Sequence, residues 1–454
     1  MVIKSINPYD GQLLGEFSEY SIQKIESSIK KAESAYKDFK KTSFKYRSEL
    51  MLQCSKILKL NKQVFARQIT NEMGKVIKES IAEVEKSAWV CEYYATNAEN
   101  FLQNERLNIV DGTSYIAYDP LGIVLAVMPW NFPFYQVFRF APPAIMAGNV
   151  VLLKHSSNVP QCALAIEDIF KEAGFPEGVF QTLLVKSDKV SALIDDSRIQ
   201  AVTITGSTEA GKSVAERAGK NIKKSVLELG GSDPFIVLKD ADVDAASEIA
   251  AKARMINCGQ SCIAAKRFII EEEIADKFIS KFKERLHQMK FGNPLDESSD
   301  YASMASKELR QTLNNQVKDS LVLGAAILWN DNKTPDKDVF FNPTIITAVK
   351  PGMPAYEEEL FGPVASIFVT KNAREAIEIS NSSQFGLGAS LWSRDIENAR
   401  NIAREIESGV VYINDLVASR PDIPFGGIKK SGYGRELAHL GIREFVNQKT
   451  IFIK

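Results

Sequence analysis

The feature that most constrains the fold is an alternation of short apolar segments and helical segments through the middle of the chain. Apolar runs such as NVVLLK (149–154), AVTIT (201–205) and SVLEL (225–229) are separated by stretches with the spacing of amphipathic helices. Strands that are joined by helices in this way form a parallel sheet with crossover connections. The sequence therefore predicts an α/β fold.

A second series of the same kind starts with PFIVL at 234–238. Its further elements are predicted helices at 242–257 and 273–288 and predicted strands at 267–271, 364–369 and 409–413. Before both series, the apolar residues from Ser21 to about Asn104 recur every three or four positions, which is typical of amphipathic helices. We therefore expect a block of N-terminal helices followed by two α/β domains.

Two further segments are typical of exposed strands. Residues 113–127 (TSYIAYDPLGIVLAV) predict two short strands about a Pro-Leu-Gly turn, and KTIFIK (449–454) alternates apolar and other residues. A strand with an unpaired edge readily pairs with another chain. We expect these segments to form an oligomerisation arm.

Charge and composition exclude several classes of partner. Lys plus Arg number 56 against 57 for Asp plus Glu, so no net field attracts nucleic acid or an anionic membrane. The chain has neither a signal-peptide pattern at MVIKSINPYD nor a run approaching the ~18 apolar residues of a membrane helix. Five scattered cysteines do not form a disulfide framework, and three isolated histidines do not form a metal site. We expect a cytoplasmic protein without nucleic-acid, membrane or metal partners.

The segment GSTEAGKS (206–213) matches the phosphate-binding pattern G-x-x-x-x-G-K-[ST] and follows a predicted strand. One hypothesis is therefore a nucleotide triphosphatase. Glu209 would then place a carboxylate inside a loop that must surround polyphosphate. A strand, a glycine turn and a helix N-terminus serve a dinucleotide pyrophosphate equally well. The motif predicts a nucleotide site of one of these two kinds.

Three residues are candidates for catalysis. Cys262 has the polar, permissive neighbours Gly-Gln-Ser instead of a core-like environment. Glu228 ends an apolar strand and is followed by two glycines, which keep the site open. Asn131 lies in Pro129-Trp-Asn-Phe-Pro133, where the two prolines fix the loop and the amide is a suitable donor to an oxyanion.

Seven motifs in this order and spacing resemble the aldehyde dehydrogenase superfamily, with the resemblance running from Ile6 to Ile453: PWNFP, LLKHSS, TGSTEAG, LELGGSDP, GQSC, EEELFGPV and PFGGIKKSGYGRE. Within it, the length and the C-terminal segment resemble the shorter bacterial succinate-semialdehyde dehydrogenases most. The implied fold is α/β with a Rossmann-type cofactor domain (1–112 and 128–231), an α/β catalytic domain (232–423) and a β-strand oligomerisation arm (113–127 and 436–454). The implied assembly is a homodimer or homotetramer.

The resemblance also implies a mechanism. Cys262 attacks the aldehyde carbonyl, the Asn131 side chain and the Cys262 N–H hold the oxyanion, and hydride passes to NADP or NAD. Glu228 then activates water to hydrolyse the thioester. The expected reaction is oxidation of an aldehyde to an acid, with succinate semialdehyde as the expected substrate. A broad-specificity aliphatic or aromatic aldehyde dehydrogenase and a non-catalytic relative are the alternatives.

The cofactor preference is predicted from position 157. NAD-preferring members commonly have K-P-S-E, whose glutamate repels a 2′-phosphate, whereas this chain has Lys154-His-Ser-Ser157. We therefore expect NADP to be used at least as well as NAD. His155 replaces the common proline and has no predicted role. The resemblance places eight residues at the cofactor: Trp130, Lys154, Ser157, Gly206, Ser207, Leu229, Glu359 and Phe361.

Substrate selection is expected to depend on arginine. Arg139 matches an arginine that binds the distal carboxylate in succinate-semialdehyde dehydrogenases, and a guanidinium can bind a carboxylate through two parallel hydrogen bonds. A second family arginine, six positions before the nucleophile, is Ile256 here. Arg420 is the predicted replacement, with Ser419 as a hydroxyl donor.

Overall fold

The computed structural model describes residues 2–335 and 337–454. Up to residue 228 its helices and strands are β1 (Val2–Ile6), β2 (Leu13–Ser18), α1 (Ile22–Phe39), α2 (Phe44–Leu60), α3 (Lys62–Met73), α4 (Ile77–Phe101), β3 (Glu105–Leu107), β4 (Thr113–Pro120), β5 (Ile123–Met128), α5 (Tyr135–Met146), β6 (Val150–His155), α6 (Pro160–Glu172), β7 (Phe180–Thr182), α7 (Val190–Asp195), β8 (Ile199–Thr205), α8 (Thr208–Lys220) and β9 (Lys224–Glu228). The expected block of N-terminal helices is α1 to α4.

The second half continues the alternation of strands and helices. Its elements are β10 (Pro234–Val237), α9 (Val243–Met255), β11 (Arg267–Glu271), α10 (Glu272–Gln288), α11 (Lys307–Val322), β12 (Ala326–Asn330), β13 (Thr344–Thr347), α12 (Pro354–Glu357), β14 (Val364–Thr370), α13 (Ala373–Asn381), β15 (Phe385–Gly386), β16 (Gly388–Trp392), α14 (Ile396–Glu405), β17 (Val410–Ile413), β18 (Ile428–Lys429), β19 (Gly432–Tyr433), α15 (Ala438–Arg443) and β20 (Val446–Ile453).

A six-stranded sheet of order β19-β9-β8-β5-β6-β7 forms the centre of the first half. Its strands are parallel except for β19, which pairs antiparallel with β9. Strands β5, β6 and β8 are buried on both faces over most of their length, which explains the apolar runs IVLAVM in β5 and VVLL in β6. Because the carboxyl ends of parallel strands meet at one edge, the segments that follow β5, β6, β8 and β9 lie close together.

A seven-stranded sheet of order β12-β13-β14-β11-β10-β16-β17 forms the second half, and all its pairings but the one between β12 and β13 are parallel. The predicted strands at 267–271, 364–369 and 409–413 correspond to β11, β14 and β17. Sequence analysis missed β12, β13 and β16. Strand β16 has the sequence GASLW, whose small residues give no strand signal although every position is buried.

The arm is a three-stranded sheet of order β20-β4-β3. Strand β20 pairs antiparallel with β4 over the whole length of both strands, from Val446 opposite Pro120 to Ile453 opposite Thr113. The predicted boundary at residue 127 is wrong, because β5 pairs with β6 and β8 in the six-stranded sheet. The arm strand ends at Pro120, where side chains buried on both faces take over from exposed ones.

Candidate active site

The segment before the predicted nucleophile is a strained turn, Ile256–Gly259, at the end of α9. Asn257 (φ 51°) and Cys258 (φ 53°) both adopt left-handed backbone, which is unfavourable for residues other than glycine. The Asn257 N–H donates to both carboxylate oxygens of Glu79 on α4, at 3.1 and 3.0 Å. Its side-chain amide donates to the carbonyl oxygen of Asn131 at 2.9 Å. Neighbouring elements therefore hold this turn in place.

Asn131 is buried beside the same turn. Its Nδ2 donates to the carbonyl oxygen of Gln260 at 3.1 Å. An amide NH₂ carries two donors, so one N–H remains for another acceptor. Its Oδ1 is buried and has no hydrogen-bond partner among the described residues. The geometry fits the oxyanion donor that the sequence predicts.

Cys262 is half-buried, unlike the other four cysteines, which are buried. Burial raises the pKa of its thiol to about 12, although the positive charges of Arg139 and Lys266 oppose this. The Lys266 ammonium donates to the Cys262 carbonyl oxygen at 2.6 Å and fixes the backbone at the nucleophile. The resting thiol is therefore protonated at neutral pH, and attack on a carbonyl requires that its proton be removed.

Two cavities meet at Cys262. The first, of about 250 Å³, is lined by Pro129, Trp130, Asn131, Gln136, Thr205, Gly206, Ser207, Leu229, Gly230, Cys262, Leu309, Glu359 and Phe361. The second, of about 200 Å³, is lined by Glu79, Ala82, Glu83, Lys86, Phe132, Tyr135, Gln136, Arg139, Ile256, Ser261, Cys262, Ile263, Ser419 and Phe425. Only Gln136 and Cys262 line both. Gln136 was missed because nothing in its type or position in PFYQVFRF distinguishes it.

The first cavity contains the turn between β8 and α8. Ser207 caps α8, accepting a hydrogen bond from the Ala210 N–H at 3.3 Å, so a helix N-terminus suited to anions borders the cavity. Gly211 allows α8 to pack on β9, because a Cβ there would lie 2.4 Å from Leu229 Cδ2. Both features suit a dinucleotide pyrophosphate.

The triphosphatase hypothesis is wrong. The phosphate-binding loop that it requires would span Gly206 to Ser213, but α8 begins at Thr208. Lys212, which would have to reach the phosphates, forms an exposed ion pair with Glu209 at 2.6 Å instead. The motif is the start of a helix in a Rossmann-type domain.

Glu359 reaches the same cavity from the other half of the protein. Its Oε1 accepts a hydrogen bond from the Gly231 N–H and contacts the Lys266 ammonium, each at 3.1 Å. A Cβ at Gly230 would lie 2.5 Å from Glu359 Oε2, so a larger residue there would force this carboxylate to move. The position fits an acceptor for ribose hydroxyls.

Two aromatic rings also line this cavity. Trp130 and Phe361 pack edge to face, with ring centroids 5.9 Å apart. The two rings form an apolar wall of the first cavity near Cys262, where we expect the nicotinamide ring to bind. Trp130, Leu229, Gly206, Ser207, Glu359 and Phe361 are thus brought together as the sequence predicts.

Lys154 and Ser157 lie at the end of β6 and are not among the residues that line this cavity. The Lys154 side chain is largely buried, and its ammonium has no hydrogen bond or ion pair with a described residue. Ser157 is exposed. An unpartnered ammonium next to an exposed serine fits the phosphate of an adenosine ribose.

His155 has a positioning role that the sequence did not indicate. Its Nδ1 accepts a hydrogen bond from the Ser156 N–H at 2.8 Å, so its Nε2 carries the proton and donates to the Pro133 carbonyl oxygen at 2.9 Å. Burial lowers the pKa of the imidazole to about 4. The neutral ring ties the end of β6 to the loop that carries Asn131.

Glu228 lies at the end of β9 and lines neither cavity. Both of its oxygens are buried without a hydrogen-bond partner among the described residues. A Cβ at Gly426 would lie 2.8 Å from its Oε1, so this glycine leaves the space that the carboxyl occupies. Burial raises the pKa of Glu228 well above its ordinary value, although Arg139 opposes the shift. The neutral form of the carboxyl is therefore favoured in this position.

Arg139 belongs to the second cavity, but its charge is already paired. Its Nε contacts a carboxylate oxygen of Glu436, and its guanidinium donates to Thr205 Oγ1 at 3.3 Å. Both partners of the ion pair are buried. Removing one partner of such a pair leaves an uncompensated buried charge. Arg139 therefore has a structural role in addition to the predicted one, and Glu436 is a site residue that sequence analysis missed.

The structure separates Ser419 from Arg420. Ser419 is buried in the second cavity, where its Oγ lies 2.9 Å from the Tyr135 hydroxyl. Arg420 does not line the cavity; its guanidinium forms two hydrogen bonds to Asp422, at 3.0 and 2.8 Å, and is nearly half exposed. The prediction that Arg420 replaces the missing family arginine is therefore not supported by its position.

Within residues 2–335 and 337–454, no group of three or more histidine, cysteine, aspartate or glutamate side chains is arranged to hold a metal ion. In the same part of the chain, none of the helices combines the length and apolarity needed to cross a bilayer.

Comparisons with known proteins agree with this geometry. The model of the aldehyde dehydrogenase family matches residues 1–451. A probable succinate-semialdehyde dehydrogenase [NADP(+)] of Synechocystis sp. is 48% identical over 453 residues, and succinate-semialdehyde dehydrogenase [NADP(+)] 1 of Mycobacterium tuberculosis is 45% identical over 456; each covers 100% of both chains. The crystal structure of succinic semialdehyde dehydrogenase from Streptococcus pyogenes in complex with NADP⁺ superposes with a TM-score of 0.97 at 37% identity, covering 99% of each chain. The chain belongs to the aldehyde dehydrogenase family.

Proposed function

We propose that this chain oxidises succinate semialdehyde to succinate, with NADP⁺ as the hydride acceptor. The observation that carries the proposal is the position of Cys262 between a cavity suited to a dinucleotide and a small cavity lined by cationic and hydroxyl side chains. The names of the full-length relatives support the same substrate and cofactor.

The first half of the reaction forms a bond between Cys262 Sγ and the aldehyde carbon. The thiol proton must be released to solvent as this bond forms, because a pKa of about 12 keeps the resting thiol protonated. The free N–H of Asn131 donates to the developing oxyanion. When bound, the nicotinamide cofactor supplies the acceptor for the hydride that leaves the aldehyde carbon. The acyl group then remains on the sulfur as a thioester.

The second half is hydrolysis of that thioester. Water adds to the acyl carbon and loses a proton to Glu228, the carbon–sulfur bond breaks, and the acid is released. The proton on Glu228 then returns to the sulfur and restores the Cys262 thiol. Glu228 must first lose its own proton and turn from its position beside Gly426 towards Cys262. Its raised pKa makes it a stronger base than an ordinary glutamate once it is ionised.

The choice of NADP⁺ depends on the end of β6. Ser157 brings no negative charge to the surface there, and Lys154 has an ammonium without a partner among the described residues. We propose that Lys154 and Ser157 contact the adenosine ribose and accept its 2′-phosphate. Gly206 and Ser207 hold the pyrophosphate at the start of α8, and Glu359 holds the nicotinamide ribose.

The function is tested with the purified full-length protein by following the absorbance of the reduced nicotinamide and by identifying the acid formed. Succinate semialdehyde, butanal and benzaldehyde are each supplied with NADP⁺ and with NAD⁺. We expect the highest kcat/KM for succinate semialdehyde with NADP⁺, and no turnover by Cys262→Ala. Equal kcat/KM values for succinate semialdehyde and butanal would favour the broad-specificity alternative.

We further propose that β20 mediates a homo-oligomer, dimer or tetramer. It is an edge strand of the arm, and Phe452 and Ile453 are more than half exposed. An exposed apolar edge strand is unfavourable in water and is covered by pairing with another chain. Light scattering of the full-length protein tests this, and a monomer at micromolar concentration would contradict it.

We also propose a cytoplasmic location. All five cysteines are free thiols, and three of them are completely buried, at Cys54, Cys91 and Cys162. Free thiols in this number suit a reducing compartment. Fractionation of the native cells, with the activity measured in each fraction, tests this location.

A further inference from the structure

The cavity that contains Cys262 and Arg139 also contains a lysine that no motif indicated. Lys86 lies on α4, where Glu79, Glu83 and Lys86 follow one another at helical spacing and line the same cavity. Charged residues on a helix face directed at the protein interior are unusual and require partners.

The other charged groups in this wall have such partners. Glu79 accepts hydrogen bonds from a backbone N–H of the strained turn. Glu83 accepts two backbone hydrogen bonds, at 2.8 and 3.0 Å, and one from the buried ammonium of Lys75 at 2.6 Å. Arg139 is ion-paired with Glu436. Glu83 and Arg139 therefore have charged partners. Glu79 has only a neutral partner, and burial raises the pKa of its carboxyl, which favours the uncharged form.

Lys86 differs from them. Its ammonium forms no hydrogen bond or ion pair with the described residues, and its only polar contact is with the face of the Tyr135 ring, whose centroid lies 4.4 Å from Nζ. Burial is the main cause, and repulsion by Arg139 a further one, of a pKa lowered to about 8. The side chain is half-buried and can be reached from the cavity. The site thus contains a cation that is held in place and lacks a counterion.

We propose that Lys86 binds the distal carboxylate of the aldehyde substrate and takes the place that sequence analysis gave to Arg420. The inference rests on the proposed function, because it requires a substrate with a carboxylate. The Tyr135 hydroxyl donates to the Ser419 carbonyl oxygen at 3.0 Å, so the Ser419 hydroxyl, whose Oγ lies 2.9 Å from it, is the further donor available to that carboxylate. Arg139 supplies the second positive charge, reduced by Glu436.

A carboxylate that enters this cavity loses hydration and must gain a charged partner. An unpaired ammonium gains from the same contact, so the interaction stabilises substrate and protein group together. An aldehyde of equal length without a carboxylate gains nothing from Lys86.

The test compares Lys86→Met with the wild type on succinate semialdehyde and on butanal. We expect the KM for succinate semialdehyde to rise at least about tenfold, as for loss of a hydrogen bond to a charged group, and the value for butanal to change far less. Lys86→Arg restores most of the affinity because it keeps the charge. Lys78→Met, on the same helix but in an exposed ion pair with Asp300, is the control.

The outcomes separate the two proposals. A wild type that prefers succinate semialdehyde, together with a Lys86→Met variant that keeps this preference, would overturn the role of Lys86 alone. Equal losses on the two substrates would show that Lys86 serves the fold, and would also overturn it. A wild type without any preference would contradict the proposed substrate, and with it the need for a carboxylate site. Thermal unfolding of each variant checks that it is folded.

Discussion

The Nε2 of His155 lies 2.9 Å from the carbonyl oxygen of Pro133, and this bond joins the strand that carries Lys154 to the loop that carries Asn131. One neutral imidazole thus connects the proposed ribose contact with the proposed oxyanion donor. The arrangement requires the ring to stay unprotonated, because its Nδ1 already accepts the Ser156 N–H.

The first prediction concerns acid stability. The folded pKa of His155, about 4, is below its unfolded value of 6.5, so between these two pH values the unfolded state binds more protons. The free energy of unfolding should fall by up to about 3 kcal/mol as pH drops from about 6.5 to about 4, and stay unaffected by this group above that window. Urea unfolding at several pH values measures this. His155→Phe should show a shallower pH dependence, and an identical dependence in both proteins would contradict the prediction.

Glu228→Gln should separate the two halves of the reaction. Without a base the thioester forms but is not hydrolysed, so a rapid burst of reduced cofactor precedes a steady rate lowered about a hundredfold or more. Rapid mixing measures both phases. In the wild type, hydrolysis should quicken as pH rises, because the raised pKa of Glu228 keeps it protonated to higher pH than an ordinary glutamate. A variant with the native steady rate would rule out this base.

Ser157→Glu should reduce the use of NADP⁺ selectively. A carboxylate at this exposed position repels a 2′-phosphate, so we expect the KM for NADP⁺ to rise at least about tenfold while that for NAD⁺ changes little. Ser157→Gln has a side chain of the same length without the charge and is the matched control. Steady-state kinetics with both cofactors measure these KM values. An unchanged KM for NADP⁺ would show that the 2′-phosphate does not bind beside Ser157.

Binding of the substrate carboxylate should weaken in alkaline solution. The groups that act on the Lys86 ammonium are Glu83 on its own helix, Tyr135 and Arg139 on α5, and Arg420. With a pKa of about 8, Lys86 loses its charge as pH rises through that value, so the KM for succinate semialdehyde should rise there.

The matched variant for this pH series is Lys86→Arg, whose guanidinium stays charged. Its KM for succinate semialdehyde should remain flat over the same pH range, and butanal should show no such rise with either protein. A rise of equal size in both proteins would assign the effect to another group.

Gly230→Ala should impair cofactor binding without unfolding the protein. The added Cβ would lie 2.5 Å from Glu359 Oε2 and displace the carboxylate from the first cavity. We expect the KM for NADP⁺ to rise about tenfold, as for loss of a hydrogen bond to a charged group. Gly219→Ala, where a Cβ would have no neighbour within 4 Å, is the control and should bind cofactor normally.

Much of the fold follows from local sequence because long apolar runs and helical spacing are local signals. The central strands β6, β8 and β9 are of this kind. Strand β16 (GASLW) was missed because its composition gives no strand signal, and β12 and β13 are short strands of five and four residues that were also missed. The predicted end of the arm was also wrong, because a single turn separates the more exposed strand β4 from the buried strand β5.

The site was predictable where residues lie in motifs. Cys262 and Asn131 lie in the motifs GQSC and PWNFP, whereas Arg139 and Ser419 were predicted from their places near the motifs. All four lie at the second cavity or at the turn beside it. Lys86 and Gln136 lie outside the quoted motifs. His155 and Glu436 lie within LLKHSS and PFGGIKKSGYGRE, but the motifs gave them no role, because the roles of all four residues arise from packing between distant segments. Lys86 did have one signal in the sequence, which is its helical spacing from Glu79 and Glu83 on a face where apolar residues are expected.

Because Cys262 lies at the junction of two cavities, the acid and the reduced dinucleotide occupy different spaces when the reaction ends. Because the two cavities share only Gln136 and Cys262, we expect the acid product to leave the smaller cavity without crossing the space of the dinucleotide, and the reduced dinucleotide to leave without displacing an acyl group that is still bound to sulfur. Exchange of the coenzyme and release of the acid should therefore not depend on each other. As an inhibitor, succinate should compete with the aldehyde but not with NADP⁺.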